Sequence, residues 1–287
     1  MSYKLIMALA GGGPGDDQTL AFAAGLAARH GAVARVLPIH HDATIDLVAL
    51  GMTLGAPLSP EAIEALSESE RDCQHRIETG ARSAARTADI VYGDGDGAPR
   101  ILVHPHAVRP SLALVRTMAL ADLVVIGQTY LQGAGYGTEV LGQILLQQRS
   151  PVLIARGGPE RLAGQAAIAW DGSAEAGRAV RSALPLIAMA SGLMLLQYPE
   201  GLDDPATAPE TASLNAYLRL HGVGTGRPVA VAGRSAGEAL VEGAQDEGVD
   251  LLVAGAWGHS RLREAIFGGA TRAFLEDTDG PCLLLAH

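Results

Sequence analysis

The sequence predicts an α/β protein built from two tandem open five-stranded parallel sheets with helices on both faces. Short continuous apolar runs alternate with stretches of helical periodicity, which is the pattern of β-α-β units in a parallel sheet. Hydrophobic residues make up 48% of the chain but aromatic residues only 4%, so Ala, Val, Leu and Ile must fill the cores. Such aliphatic filling is usual between a parallel sheet and its helices.

An internal repeat gives the domain organisation. The segment ADLVVIG at 121–127 recurs as VDLLVAG at 249–255, and each copy is followed by a proline-led apolar run, at 151–155 and at 281–285. The two copies of the pattern therefore predict two copies of one folding unit.

The boundary between the copies is expected at residues 157–159, where Gly-Gly-Pro favours a turn. A chain of 287 residues also exceeds the commonest size of a single domain. We therefore expect two domains, residues 1–158 and 159–287.

Each predicted element follows from the apolar runs and the turn residues between them. In the first copy we expect strands near residues 4–10, 33–40, 100–106, 122–127 and 151–155. In the second copy we expect strands near residues 165–170, 192–198, 227–232, 250–255 and 281–286. The longest helix is expected from about residue 60 to 86, because Ser59-Pro60-Glu61 supplies a cap, a first-turn proline and an acidic first turn.

Charge and cysteine content narrow the function classes. The formal net charge of −10 argues against nucleic acid or an anionic membrane as partner, because both are bound largely through Lys and Arg. Cys73 and Cys282 are too few for a disulfide framework. The apolar run at the N-terminus is too short for a signal peptide, and no stretch approaches membrane length. We therefore expect a cytoplasmic protein.

A glycine-patterned segment follows the fourth strand of the second copy. Gly255, Gly258 and Gly268 are separated by two and by nine residues, and Gly269 follows the third glycine. Close backbone approach to a ligand, followed by a helix whose free N–H groups face it, is what a phosphate site needs.

This segment resembles the loop that the universal stress protein family carries between its fourth strand and last helix. That loop has a glycine, two residues, a second glycine, nine residues, and a glycine followed by Ser or Thr. Gly255, Gly258 and Gly268 match its three glycines, and Asp171 matches an aspartate that ends the family's first strand. The resemblance covers most of both copies and implies a Rossmann-like, adenine nucleotide alpha hydrolase-like fold.

The resemblance implies an ATP or AMP site in the second copy, with Mg²⁺ accompanying ATP. The expected site residues are Asp171, Gly255, Gly258, His259, Arg261, Gly268, Gly269 and Thr271. Gly269 departs from the family, which has Ser or Thr there. A hydroxyl bond to a charged phosphate is worth about 1.5–3 kcal/mol, so we expect weakened rather than abolished binding. Thr271 lies close enough in sequence to supply a hydroxyl instead.

The first copy has lost the pattern. Tyr130 stands in place of the second glycine, and Ala10 stands where the counterpart of Asp171 is expected. The loop Gly11–Asp16 lacks the lysine of a phosphate-binding P-loop, so it is interpreted as a turn. The resemblance then implies a regulatory or dimerisation role, with the sheets pairing through their last strands. An intramolecular pseudo-dimer and a homodimer both remain open.

Four histidines of the first copy suggest a different function. His40 and His41 end the second predicted strand, and His104 and His106 lie on one face near the end of the third. If those strands are neighbours the imidazoles could converge on a metal ion. Solvated strand-end residues are the simpler interpretation.

The leading hypothesis is a non-catalytic stress-response protein that binds an adenine nucleotide and acts through association with itself or with an unknown partner. No nucleophile with an adjacent base is evident, although slow ATP hydrolysis stays open. A nucleotide-free structural module is the alternative. An enzyme related to adenylate-forming or flavin-binding proteins would need further phosphate-binding residues near Asp171, and residues 171–175 contain none.

Overall fold

The computed structural model describes residues 2–39, 59–105, 117–132, 136–199, 210–256 and 269–287. These residues form one sheet of eleven strands with helices packed on both faces. The predicted α/β class is confirmed.

The first half alternates strands with helices. Its strands are β1 (Leu5–Ala10), β2 (Val33–Pro38), β3 (Val91–Tyr92), β4 (Arg100–Val103), β5 (Leu123–Gly127) and β6 (Val152–Ala155). Its helices are α1 (Asp16–His30), α2 (Pro60–Thr87), α3 (Gln128–Leu131) and α4 (Tyr136–Gly142), followed by a π-helix over Gln143–Gln148.

The second half repeats the alternation after a short 3₁₀-helix at Pro159–Ala163. Its strands are β7 (Gln165–Ala169), β8 (Gly192–Gln197), β9 (Arg227–Ala230), β10 (Leu251–Gly255) and β11 (Cys282–Ala286). Its helices are α5 (Ala174–Ile187), α6 (Thr211–Leu220), α7 (Ala236–Asp246) and α8 (Gly269–Glu276).

The strand order is β3-β4-β2-β1-β5-β6-β11-β10-β7-β8-β9. Neighbouring strands are parallel except β6 and β11, which pair antiparallel with Leu153 opposite Leu284. In the first half β1 lies between β2 and β5, and in the second half β7 lies between β8 and β10. Strand order therefore reverses between β1 and β5 and again between β7 and β10.

All ten predicted strands are present, and their ends differ from prediction by at most three residues. The long helix predicted from about 60 to 86 is α2, Pro60–Thr87. One feature differs from prediction: β3 adds a strand that the sequence did not signal, because it has two residues and Val91 is 57% exposed. The two sheets are joined into one through β6 and β11, the last strand of each half, which is the pairing that the resemblance implied. The domain boundary at 158/159 stays a prediction.

Each face of the sheet carries a hydrophobic core that runs through both halves. One core joins Phe22 of α1 to Ala179 of α5, and the other joins Ile144 to Phe274 of α8. Successive residues of β1 alternate between them, Ile6 to the first core and Met7 to the second. The halves are therefore packed together on both sides of the seam between β6 and β11.

The aspartates of the sequence repeat have a shared structural role. Asp122 Oδ2 accepts the backbone N–H groups of Lys4 at 2.7 Å and Leu5 at 2.9 Å. Asp250 Oδ2 accepts the N–H of Gln165 at 3.1 Å. Each aspartate thus fixes the beginning of the first strand of its own half.

Within the ranges that the structure describes, no helix combines the length and the apolar character needed to cross a bilayer.

Replacing Leu284 by Ala tests the seam. Leu284 is fully buried opposite Leu153, so the cavity should lower the free energy of unfolding by about 2–5 kcal/mol. Leu220→Ala, at a position that is 84% exposed, should change it by less than about 0.5 kcal/mol. Urea unfolding measures both variants, and equal small effects would contradict the packing described for the seam.

Alkaline pH should weaken a second contact between the halves. The hydroxyl of Tyr3 donates to the carbonyl oxygen of Ser182 at 2.6 Å, and Tyr3 is buried. Burial, with a smaller effect of the Asp122 charge, raises the pKa of Tyr3 far above its ordinary value of 10.0. A folded-state pKa above the unfolded one contributes stability that is present below about pH 10 and is lost at higher pH.

Wild type should therefore lose more stability than Tyr3→Phe when urea unfolding is compared at about pH 9 and about pH 11. Tyr92→Phe, at a partly exposed tyrosine, serves as the control. Parallel pH profiles for wild type and Tyr3→Phe would show that this contact does not link the halves.

Candidate functional site

The candidate site lies at the carboxyl edge of the second half, where β7 and β10 are neighbours. The two strands are parallel, with Ile168 opposite Val253. Asp171 follows the end of β7 by two residues, and Gly255 is the last residue of β10. Ligands of open parallel sheets bind at such an edge, where strand order reverses.

The turn after β7 presents an acidic side chain at the start of a helix. Asp171 is exposed, and its Oδ1 accepts the backbone N–H of Ser173 at 2.9 Å. Gly172 has a φ of 73°, a left-handed conformation that favours glycine. Ser173 Oγ accepts the N–H of Ala176 at 3.1 Å, so Ser173 is the N-cap of α5.

Gly255 lies directly against the first turn of α5. A β-carbon at this position would be 2.6 Å from the backbone nitrogen of Ala176 and 2.8 Å from the carbonyl carbon of Glu175. Only glycine allows this approach without displacing backbone. The end of β10 and the turn that carries Asp171 are therefore brought to the same place, and close packing alone also requires Gly255.

Gly269 begins α8 in a different environment. It is exposed, and no atom of the described residues lies within 4 Å of where its β-carbon would be. The amino end of α8 rests on α7, since a β-carbon at Gly237 would be 2.7 Å from Ala270 Cα and 3.1 Å from the carbonyl oxygen of Gly269. A side chain at position 269 would thus meet no steric obstacle from the part of the chain that the structure describes.

The first turns of α5 and α8 differ in charge. Glu175 lies in the first turn of α5 and pairs with Arg178. Within the described part of α8, which begins at Gly269, the first turn contains no acidic residue. Because a helix amino end carries about half a positive charge, the start of α8 is the more favourable of the two for an anion.

Thr271 does not share the exposure of Gly269. It is 2% exposed within α8, so its side chain is not on the surface that a ligand could reach. Its expected role as a substitute hydroxyl loses support from this burial. Four other expected residues lie outside the described ranges and stay predictions: Gly258, His259, Arg261 and Gly268.

The histidine hypothesis gains no support. His40, His41 and His106 lie outside the described ranges, and His104 is partly buried. Among the residues that the structure does describe, no group of His, Cys, Asp or Glu is placed to hold a metal ion.

At the equivalent edge of the first half, the chain's own side chains cover the turn after β1. The backbone N–H of Gly12 donates to Asp16 Oδ2 at 2.6 Å, and that of Gly11 to Oδ1 at 3.3 Å. Burial raises the pKa of Asp16, opposed by hydrogen bonds from the backbone of Gly12, Gly11 and Gly13. An internal carboxylate therefore accepts the amide groups that an anionic ligand would use.

Helix α2 and Tyr130 close over the same turn. Arg76 Nε donates to the carbonyl oxygen of Gly12 at 2.9 Å, and a β-carbon on Gly12 would be 2.9 Å from Cys73 Sγ. The ring of Tyr130 reaches within 3.7 Å of where a β-carbon on Gly11 would lie. Sequence reasoning singled out Tyr130 but missed Asp16 and Arg76, because an acidic first turn and a polar helix face are common in any helix.

Substitution of Gly255 and of Gly269 by Ala should show which of the two glycines is required by packing. Gly255→Ala places a β-carbon inside contact distance of backbone and should lower the free energy of unfolding by about 1–3 kcal/mol. Gly269→Ala enters open space and should change it by no more than about 0.5 kcal/mol. Thermal and urea unfolding of both variants test this, and an unaffected Gly255→Ala would contradict the described approach of β10 to α5.

Comparison with known proteins agrees with this architecture. Residues 166–286 match the model of the universal stress protein family. No curated protein sequence gives a match.

Solved structures match over nearly the whole chain. A universal stress protein from Archaeoglobus fulgidus DSM 4304 superposes with a TM-score of 0.70 at 12% identity, covering 98% of this chain and 95% of that one. A putative universal stress protein from Pseudomonas aeruginosa UCBPP-PA14 gives a TM-score of 0.54 at 13% identity, covering 99% and 93%. At these identities the likeness is one of fold. The family match and the strand order together identify residues 166–286 as a universal stress protein domain, within a chain that carries the fold twice.

Proposed function

We propose that the second half binds an adenine nucleotide, ATP or AMP, weakly at the edge between β7 and β10, and that the protein acts in a cytoplasmic stress response through association rather than catalysis. The membership of residues 166–286 in the universal stress protein family supports the stress-response role.

The single observation that carries the proposal is the contact of Gly255 with the first turn of α5. It sets the end of β10 beside the turn that carries Asp171, at a point where strand order reverses. An acidic acceptor for a nucleoside hydroxyl and a backbone surface for phosphates are thereby offered at one edge. In the first half Ala10 stands at the position of Asp171, and Asp16 accepts the amides of the turn after β1.

In this proposal Asp171 accepts a hydrogen bond from the nucleoside, and the backbone N–H of Gly269 with the amino end of α8 attracts phosphate. Gly258 and Gly268 would line the phosphates, and Arg261 with His259 would add positive charge. Magnesium, when ATP is bound, would be held chiefly by phosphate oxygens. The proposed binding is weak because Gly269 offers a backbone N–H but no hydroxyl to the phosphates.

Restoring the hydroxyl is the sharpest test. Gly269→Ser should bind ATP about 10–100-fold more tightly than Gly269→Ala, because a charge-assisted bond is worth about 1.5–3 kcal/mol. The two variants add the same β-carbon in open space and differ only in the hydroxyl. Quenching of the two tryptophans gives the dissociation constant, since Trp170 is adjacent to Asp171 and Trp257 to Gly258 in the sequence.

Asp171→Asn provides a second test of ATP binding. The amide oxygen can still accept the N–H of Ser173, so the turn is kept while the carboxylate charge is lost. ATP affinity should fall about tenfold, which corresponds to about 1.4 kcal/mol. Thermal unfolding with ATP at a hundred times its dissociation constant should gain about 2.7 kcal/mol in the wild type. If millimolar ATP and AMP move neither fluorescence nor unfolding in wild type or Gly269→Ser, the protein is instead a nucleotide-free interaction module.

A further inference from the structure

Arg156 is a buried arginine that comes directly after β6 and reaches into the second half. It is 4% exposed and stands opposite Pro281 in continuation of the β6–β11 register. Its Nη1 donates to the carbonyl oxygen of Pro281 at 2.9 Å, and its Nη2 to that of Phe274 at 2.6 Å. Its Nε donates to Gln128 Oε1 at 3.0 Å. The guanidinium therefore joins the first half to the last turn of α8 and to the start of β11.

Gln128 strengthens the same connection. It is 6% exposed, and its Nε2 donates to the carbonyl oxygen of Leu275 at 3.2 Å. Gln128 immediately follows Gly127, the counterpart of Gly255 in the first half. Gln128, the residue after the glycine that ends β5, thus binds α8 of the second half. We call Arg156 and Gln128 together the α8 clamp.

The chemistry of the clamp suits the end of a helix. The last carbonyl groups of a helix have no partners within it, and a cation near them is favoured by the helix dipole. Burial lowers the pKa of the Arg156 guanidinium, and the carboxylate of Asp277 opposes that shift. A planar fork of donors satisfies carbonyls on two elements at once, which a lysine ammonium does less well.

Helix α8 connects the clamp to the candidate site. It has eight residues, so its ends are about 12 Å apart. The clamp holds Phe274 and Leu275 near its carboxyl end, and Gly269 begins it at the other edge of the sheet. A short helix moves as a rigid unit, so a loosened carboxyl end also displaces its amino end.

We propose that Arg156, supported by Gln128, is a positioning residue through which the first half of the chain sets the nucleotide affinity of the second half by holding α8. This inference rests on the proposed function for the nucleotide, but the hold on α8 can be measured without any ligand. It gives the first half a regulatory task that does not need a ligand site of its own.

The two halves are not equivalent in this respect. The repeat places His287 where the first half has Arg156, since Ala286 and Ala155 each end the last strand of their half. His287 Nδ1 lies 2.9 Å from the carbonyl oxygen of Ala256, within the second half. Among the contacts of the described residues, the hold of one half on the last helix of the other is made by Arg156.

Hydrogen exchange and ATP titration of the full chain test the proposal together. Arg156→Met removes the donors and keeps an apolar stem of similar length, and Arg156→Lys keeps the charge in case the first variant does not fold. Amides of residues 269–276 should exchange about tenfold faster in Arg156→Met, while those of β1 are unchanged. In both the wild-type and the Gly269→Ser backgrounds, Arg156→Met should lower MgATP affinity about tenfold. Arg156→Lys should give an affinity between those of wild type and Arg156→Met.

Two controls separate positioning from general loss of stability. Arg272→Met removes an arginine from the exposed side of α8, where its side chain is 71% exposed and pairs with Glu276. Leu218→Ala destabilises the core at fully buried Leu218 of α6. Neither control should change ATP affinity, or exchange of residues 269–276, at temperatures well below unfolding.

Unchanged exchange in Arg156→Met would overturn the hold on α8, and faster exchange with unchanged ATP affinity would overturn its effect on the site. An equal loss of affinity in Leu218→Ala would also overturn it. If wild type and Gly269→Ser both fail to bind ATP, the proposed function falls and with it the effect on affinity. The exchange result then decides by itself whether Arg156 holds α8.

Discussion

The antiparallel pairing of β6 with β11 is the constraint on which the rest of this structure depends. It turns two open parallel sheets into one and lets a hydrophobic core run through both halves on each face. It also fixes which residues can meet across the seam. Arg156 stands opposite Pro281 because the register of these two strands places it there, and the last turn of α8 then comes within reach of its guanidinium.

Because both units belong to one chain, each can change without changing the other. In a symmetric pair of identical chains, one substitution alters both sites at once. Here the Asp16 carboxylate accepts the backbone amides after β1 in the first half. The second half has the exposed Asp171 at the corresponding turn. Joining the units covalently therefore allows the two corresponding turns to differ.

The strands could be predicted from the sequence because each is a short apolar run bounded by turn residues, as in Leu123–Gly127 and Leu251–Gly255. The strand β3 could not, since two residues carry no periodicity. The glycine pattern predicts a site after β10, but it does not predict that packing against α5 already requires Gly255. Close packing and close approach of a ligand both require glycine at this position. Glycine spacing in the sequence therefore does not distinguish the two roles.

The α8 clamp left no signal in the sequence. Arg156 stands between an apolar strand and two glycines, where a solvated arginine at a boundary is equally ordinary. Its burial depends on how β6 meets β11, which is a contact between residues more than a hundred positions apart. Similarly, Asp16 fits the composition of any helix start, and only the fold shows which amides it accepts.

The outer strands of the sheet have a consequence for the behaviour of the protein at high concentration. In the part of the chain that the structure describes, the sheet ends at β3, which has two residues, and at β9, which contains Pro228. A two-residue strand offers few hydrogen-bonding groups, and proline offers no N–H. A strand from another molecule therefore finds few backbone groups to pair with at either outer strand. This protects the sheet from extension by other chains.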